Sequence, residues 1–164
     1  MDLDLKHPVA LVPTMGALHA GHASLIEIAK KYSSDVVVSI FVNPLQFENP
    51  NDFSSYPKSV DSDVELATKS GATKIWVPTF DEIYPSDPVI IASGAIGNLF
   101  EGVHRFGHFD GMLTVVKRLF DLVQPEFAVF GEKDFQQLFL IKKMVKEMNL
   151  PIEIISAPTI RETS

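Results

Sequence analysis

Apolar positions in this chain follow two alternating rhythms. Residues 9–12 form a short unbroken apolar run that Pro13 ends, which predicts a buried strand. From residue 21 to 32 the spacing changes, and Leu25, Ile28, Ala29 and Tyr32 fall on one helical face. Residues 35–42 (DVVVSIFV) are crowded with β-branched side chains, as a strand covered on both faces requires, and Asn43-Pro44 stops it. A helix is predicted over residues 59–70, with Val60, Val64 and Ala67 inward and Gly71 as its C-terminal cap. Residues 74–77 give a third short strand. Two strongly amphipathic helices follow. The first, residues 111–123, has Met112, Val115, Val116, Leu119, Phe120 and Val123 on one stripe. The second, residues 134–148, turns Leu138, Ile141, Val145 and Met148 inward. Residues 126–130 form a strand between them, and residues 152–156 form the last.

Strands and helices that take turns in this way predict an α/β fold, a mostly parallel sheet with helices on both faces. Residues 78–110 interrupt the pattern with Pro, Gly and short apolar pieces. A stretch of that length inside a compact domain reads as a functional wall or lid. At 164 residues the chain is expected to form one domain, residues 1–164, large enough to bury about 70% of its unfolded surface. Hydrophobic residues at 46% and charged residues at 21% exclude disordered and fibrous classes.

Charge and composition narrow the partners. The formal net charge of −7 argues against broad nucleic-acid binding and against a polybasic membrane surface. Any phosphate site must therefore concentrate its cations locally. The absence of cysteine excludes disulfides, thiolate metal sites and cysteine nucleophiles, and is compatible with a reducing cytosol. The opening MDLDLKHPVALVP has two acids and no basic n-region, so no signal peptide is expected. No apolar run reaches the roughly 20 residues of a membrane span. A cytoplasmic protein is the expectation.

In such a sheet, ligands bind beyond the carboxyl ends of the strands. Three polar segments fall there: Pro13 to His22, Asn43 to Phe47, and Gly131 to Gln137. In the first, His19 and His22 flank Gly21 and open a helix. Helix N-terminal amides and the helix dipole favour an anion, and imidazole N–H groups would complete a pyrophosphate cradle. The competing reading is two polar residues on an exposed helix start. In the third, Lys133 supplies a point charge suited to phosphate. Asp134 and Gln137 also have capping-box spacing, which competes with ligand binding. Lys142, Lys143 and Lys146 read as a solvated face. Gln46 is either a hydrogen-bonding group for a small polar substrate or a turn residue. Arg105 and His108 either meet a carboxylate or phosphate or pair with Asp110. Asp61 and Asp63 are candidate Mg²⁺ ligands or partners of a helix dipole. Trp76 reads as core, and the many phenylalanines as core or pocket wall. The chain has no P-loop, no G-x-G-x-x-G, no G-x-S-x-G and no H-E-x-x-H. Donors for anions without an obvious nucleophile suit nucleotidyl transfer, which needs positioning and charge neutralisation.

The segments LVPTMGALHAGHASLI, VVVSIFVNPLQFENPNDFSSYPKSVDSD, FEGVHRFGHFDGMLTVVKRLFDLVQPE and FGEKDFQQLFLIKKMV resemble, in order, the pantoate–β-alanine ligase family. The resemblance implies a Rossmann-like nucleotidyltransferase (HUP-type) N-terminal domain that binds ATP and pantoate with Mg²⁺. It implies that pantoate is first joined to AMP with release of pyrophosphate. The amine of β-alanine then displaces AMP. By position, Met15, Gly16, Ala17, Leu18, His19, Ala20, Gly21 and His22 would lie along ATP, with His19 and His22 on the phosphates and His22 as proton donor. Gly131, Glu132, Lys133 and Asp134 would hold adenosine and phosphate, with Lys133 on the charge of the departing pyrophosphate, and Ile160 would touch adenine. Gln46 and Gln137 would grip pantoate, Gln46 would also stand near β-alanine, and Asp63 would be a Mg²⁺ ligand. Catalysis is thus expected of His22, His19 and Lys133. The family further implies a homodimer. It also implies a C-terminal lid domain with a Ser-Ser-Arg-Asn segment, which the sequence does not reach before Ser164. The chain is therefore expected to bind pantoate and nucleotide but to turn over poorly. Another H-x-G-H nucleotidyltransferase and a non-catalytic nucleotide-binding module are the alternatives.

Overall fold

The computed structural model describes residues 4–57 and 59–161; residues 1–3 of the acidic lead and residues 162–164 at the end lie outside it. Five strands make one sheet: β1 (Val9–Thr14), β2 (Asp35–Ile40), β3 (Lys74–Trp76), β4 (Phe127–Gly131) and β5 (Glu153–Ala157). Their order is β3-β2-β1-β4-β5 and every pairing is parallel. β1 is central, with Val9 opposite Asp35 on one side and Ala10 opposite Phe127 on the other. The helices are α1 (Ala20–Ala29), α2 (Pro50–Ser54), α3 (Val60–Ser70), α4 (Phe80–Ile83), α5 (Gly94–Gly97), α6 (His108–Val123) and α7 (Phe135–Glu147). Single 3₁₀ turns cover Pro44–Gln46 and Phe100–His104.

The two-residue period of β1 sorts its side chains between two cores. Val9 and Leu11 pack with α6 and α7, while Ala10 and Val12 pack with α1 and α3. All four are fully buried, and burying a Val or Leu side chain contributes about 1.5–3 kcal/mol. This double coverage is why β1 and β2 read as unbroken apolar runs.

The expected elements are present, with ends moved by one to three residues. α6 begins at His108 rather than at 111, because Gly107 at φ 73 turns the chain into it. The expected inward stripe of α3 is corrected. Ala67 is buried as expected, but Val60 and Val64 are exposed, and Asp63 and Ser70 are buried instead. Helix α3 turns its carboxylate, rather than its valines, to the loop after β1. On α7, Leu138 and Ile141 are buried as expected, but Met148 is 44% exposed and Leu140 and Met144 take its place. Tyr32, expected inward, is exposed and lies against Phe127 with ring centroids 5.4 Å apart. Trp76 is core. The phenylalanines divide: Phe41, Phe109, Phe120 and Phe130 are buried, but Phe100, Phe106 and Phe135 are exposed. The irregular stretch contains α4, α5 and a 3₁₀ turn, and part of it walls the cavity described next.

Candidate active site

A cavity of about 440 Å³ opens at the carboxyl ends of β1 and β4, where the direction of winding reverses. Such switch points are the ligand crevices of open α/β sheets. Met15, His19, Gly21, His22, Gln46, Gly131, Lys133, Asp134, Gln137 and Ile160 all line it. Of the other expected site residues, Gly16, Ala17, Leu18, Ala20, Glu132 and Asp63 are not in its wall.

The loop from β1 to α1 is fixed from behind. Gly16 and Ala17 adopt φ of 87° and 51°, a left-handed pair that turns the chain sharply. The turn presents two adjacent amides to Asp63, which accepts Ala17 N–H at 3.0 Å and Leu18 N–H at 2.7 Å. Ser59 donates its hydroxyl to the same carboxylate at 3.1 Å. Asp63 is 2% exposed, and a Cβ on Gly16 would stand 3.0 Å from its Oδ2. Both oxygens of Asp63, expected as a Mg²⁺ ligand, accept from the protein's own donors, which supports an anchoring role for it in this loop. Among the described residues no group of three or more His, Asp or Glu is placed to hold a metal ion. The donor set does not fit a resident cation.

His19 and His22 form a reciprocal cap on α1. His19 accepts Gly21 N–H on Nδ1 at 3.1 Å, and His22 accepts His19 N–H on Nδ1 at 3.3 Å. An Nδ1 that accepts places the proton of a neutral ring on Nε2, so each imidazole has Nε2–H left to offer. Burial first, and the neighbouring His19 second, hold His22 well below the ordinary imidazole range, at about 4. The glycine between them leaves room for this arrangement: a Cβ on Gly21 would stand 2.8 Å from Cε1 of His19. The backbone amides of Ala17, Leu18, His19 and Gly21 are thus used internally. The Nε2–H groups of His19 and His22 remain as side-chain donors at this helix start.

Gln46 is held by a buried network. Its Oε1 accepts from Asn43 Nδ2 at 3.3 Å, and its Nε2 donates to Met15 Sδ at 3.0 Å. Its backbone carbonyl accepts Nδ1–H of His108 at 2.9 Å. Asn43 is fully buried; it also donates to Gly111 O at 3.0 Å and accepts the hydroxyl of Tyr84 at 3.3 Å. Burial lowers the His108 imidazole and raises the Tyr84 phenol, so both stay neutral. Gly111 lets α6 come close: a Cβ there would stand 2.1 Å from Leu45 O. Sequence reasoning read Asn43 only as a strand stop and missed Tyr84 and Gly111. The sign available was a glycine inside an otherwise strong helix pattern.

Across the cavity, Lys133 lies in the turn between β4 and α7, exposed, with Asp134 Oδ1 3.5 Å from its ammonium. Asp134 is the N-cap residue of α7 but its side chain makes no capping hydrogen bond, so the capping box expected with Gln137 does not form. Arg105 and His108 line the same cavity. Neither pairs with Asp110, which instead accepts Ser93 N–H at 2.8 Å. Arg105 pairs with Glu101. Tyr56, which sequence reasoning did not single out, completes the rim. Lys143 bonds Glu147, and Lys142 reaches Ser156, away from this cavity.

Three imidazoles, an ammonium and a guanidinium around one crevice, with two carboxamides inside it, define an α/β domain of the nucleotidyltransferase type. Comparison with known proteins places it further. The pantoate–beta-alanine ligase family matches residues 2–164. Pantothenate synthetase from Acidothermus cellulolyticus is 55% identical over 159 residues, covering 96% of this chain and 52% of that protein. The crystal structure of pantothenate synthetase from Thermus thermophilus superposes with a TM-score of 0.89 at 44% identity, over 95% of this chain and 57% of that one. Pantoate–beta-alanine ligase from Francisella tularensis, complexed with beta-gamma ATP and beta-alanine, gives 0.90 at 44% identity, over 94% and 60%. This chain belongs to the pantoate–beta-alanine ligase family. It spans about half the length of the curated relatives it matches.

Proposed function

We propose that residues 1–164 form the ATP- and pantoate-binding domain of an enzyme that joins pantoate to β-alanine. The observation that carries this reading is the convergence of His19, His22 and Lys133 on the cavity that also contains Gln46 and Gln137. An oxygen of the pantoate carboxylate attacks the α-phosphorus of ATP, and the bond to the leaving pyrophosphate breaks. The amine of β-alanine then attacks the acyl carbon of the pantoyl-adenylate. The carbon–oxygen bond to AMP breaks and the nitrogen loses its proton. No protein nucleophile is needed, so catalysis rests on orientation and on charge held where pyrophosphate departs.

On this reading Met15 to His22 run beside the nucleotide. His19 and His22 donate Nε2–H to phosphate oxygens, and Lys133 and Arg105 neutralise the charge. Gly131 to Asp134 border the adenosine, and Ile160 closes over the base. Gln46 and Gln137 bind the hydroxyl and carboxylate oxygens of pantoate, and Gln46 also meets β-alanine. His22 is neutral before ATP arrives, and the phosphates raise its proton affinity as they enter. Mg²⁺, when bound, would supply charge neutralisation on the triphosphate beside Lys133 and Arg105. No described helix is long and apolar enough to cross a membrane, which suits a cytoplasmic enzyme. Pairing of two copies suits the exposed Phe100, Val103 and Phe106.

Isotope exchange between pyrophosphate and ATP tests the reading. Exchange that requires pantoate supports it. Exchange that another hydroxy compound supports equally well, or nucleotide binding with no exchange under any acid, overturns it.

A further inference from the structure

Helix α7 opens with two glutamines, and only Gln137 borders the cavity. The Gln136 amide is committed elsewhere. Its Nε2 donates to Ile96 O and to Leu99 O, each at 2.8 Å, and its Oε1 accepts Glu101 N–H at 3.1 Å. A primary amide has four hydrogen-bonding positions, and here three are filled by the backbone of one remote segment.

That segment needs an outside tether. It consists of the four-residue α5 and the 3₁₀ turn Phe100–His104, both too short to hold their own shape. Phe100 sits at φ 49°, a left-handed conformation that bulky residues disfavour. Gly97 and Gly102 meet so closely that a Cβ on Gly102 would stand 1.8 Å from Gly97 O. Upstream, the Asp110 carboxylate anchors Ser93. Glu101 within the turn and Arg105 just after it are ion-paired, both in the wall of the crevice that Lys133 also borders. Gln136 follows Lys133 by three residues, on the first turn of the helix that Lys133 precedes.

We propose that Gln136 is a positioning residue: its amide fastens residues 96–101 to the first turn of α7, and so sets the Glu101–Arg105 wall at the separation from Lys133 at which both cations meet one triphosphate. The tether stands on the hydrogen bonds alone, and its consequence for the anion rests on the nucleotide reading above. Preorganisation is the physical gain. With the amide removed, two carbonyls and an N–H turn to water, and ordering Arg105 becomes part of the cost of binding.

Gln136→Leu and Gln136→Glu test it, read by hydrogen–deuterium exchange and by calorimetric titration with ATP and with pantoate. In Gln136→Leu, exchange over residues 96–105 should rise severalfold while β1 and α1 stay protected. ATP affinity should fall roughly tenfold, as the loss of a few modest hydrogen bonds allows, with pantoate affinity changed less than about twofold. Gln136→Glu keeps the acceptor for Glu101 N–H but sets a carboxylate oxygen against the two carbonyls, so exchange over 96–105 should rise at least as much as in the leucine variant; it carries the test if the leucine variant does not fold. Unchanged exchange over 96–105 in both variants would refute the tether. Faster exchange with unchanged ATP affinity would refute its bearing on the anion, and equal weakening of ATP and pantoate would mark general damage and overturn the assignment. If the unaltered chain binds no ATP, the nucleotide reading falls with this consequence, and the exchange result still decides the tether.

Discussion

His19 and His22 cap one helix in opposite directions, with their ring centroids 4.2 Å apart and each Nδ1 accepting a backbone N–H. Protonating Nδ1 of His22 would break its cap on His19 N–H. Burial, and after it the neighbouring His19, lowers the proton affinity of His22 in the folded chain from 6.5 to about 4. The unfolded chain binds this proton below about 6.5 and the folded chain only below about 4, so the unfolded state holds more protons in between. Stability should be fully present above about pH 6.5, decline as pH falls through that window, and level off near about 4. His108, also lowered by burial, acts in the same direction. Thermal unfolding of His22→Asn should show a shallower pH slope than the unaltered chain; an identical slope would show that His22 does not carry the effect.

Asp63 should act as a structural anchor for the nucleotide loop. Asp63→Ala leaves two amides without their acceptor and should cost about 1.5–3 kcal/mol of stability, the range for hydrogen bonds to a charged group. Mg²⁺ alone should leave the melting temperature of the unaltered chain where it was. A rise on adding Mg²⁺ that Asp63→Asn abolishes would restore the metal-ligand role.

Gly111→Ala should disturb Gln46 without touching its side chain. The added methyl meets Leu45 O and Gln46 N, which are backbone and yield only if the Pro44–Gln46 turn moves. Pantoate affinity should fall roughly tenfold or more, and ATP affinity by less, as an anchor moved by a fraction of an ångström implies. Calorimetry with both ligands separates the two; parallel losses would contradict the link.

Lys133→Met should weaken ATP binding and flatten its dependence on ionic strength. Stability should stay within about 0.5 kcal/mol of the unaltered chain, because the ammonium is exposed and loosely paired. Retention of the full salt dependence in the variant would place the phosphates elsewhere.

The sheet and most helix faces were legible because β1, β2 and α6 bury their apolar residues in simple periods. Helix α3 misled for a definite reason. The demand of two loop amides for an acceptor outweighed Val60 and Val64, which are left exposed. The histidines, Lys133, Gln46 and Gln137 were legible as residues placed after strands. Their supports were not. Asn43, Tyr84 and Gln136 each bond a partner between 35 and 68 positions away in the sequence, and local spacing carries no trace of such contacts. The pairing expected between Asp110 and its near neighbours failed on the same ground, since Ser93 reached the carboxylate first.

The central position of β1 also governs when the crevice can exist. One of its walls hangs on β4, and Val9 N–H donates to Glu126, 117 residues further on. Closing so long a span is entropically unfavourable until the contacts it brings are made. Local helix needs no such closure, but His22 and Lys133 become neighbours only once the two halves of the sheet have zipped together. Affinity for an anion is thus acquired late in folding, and a partly folded chain with most of its helix in place would still be blind to ATP.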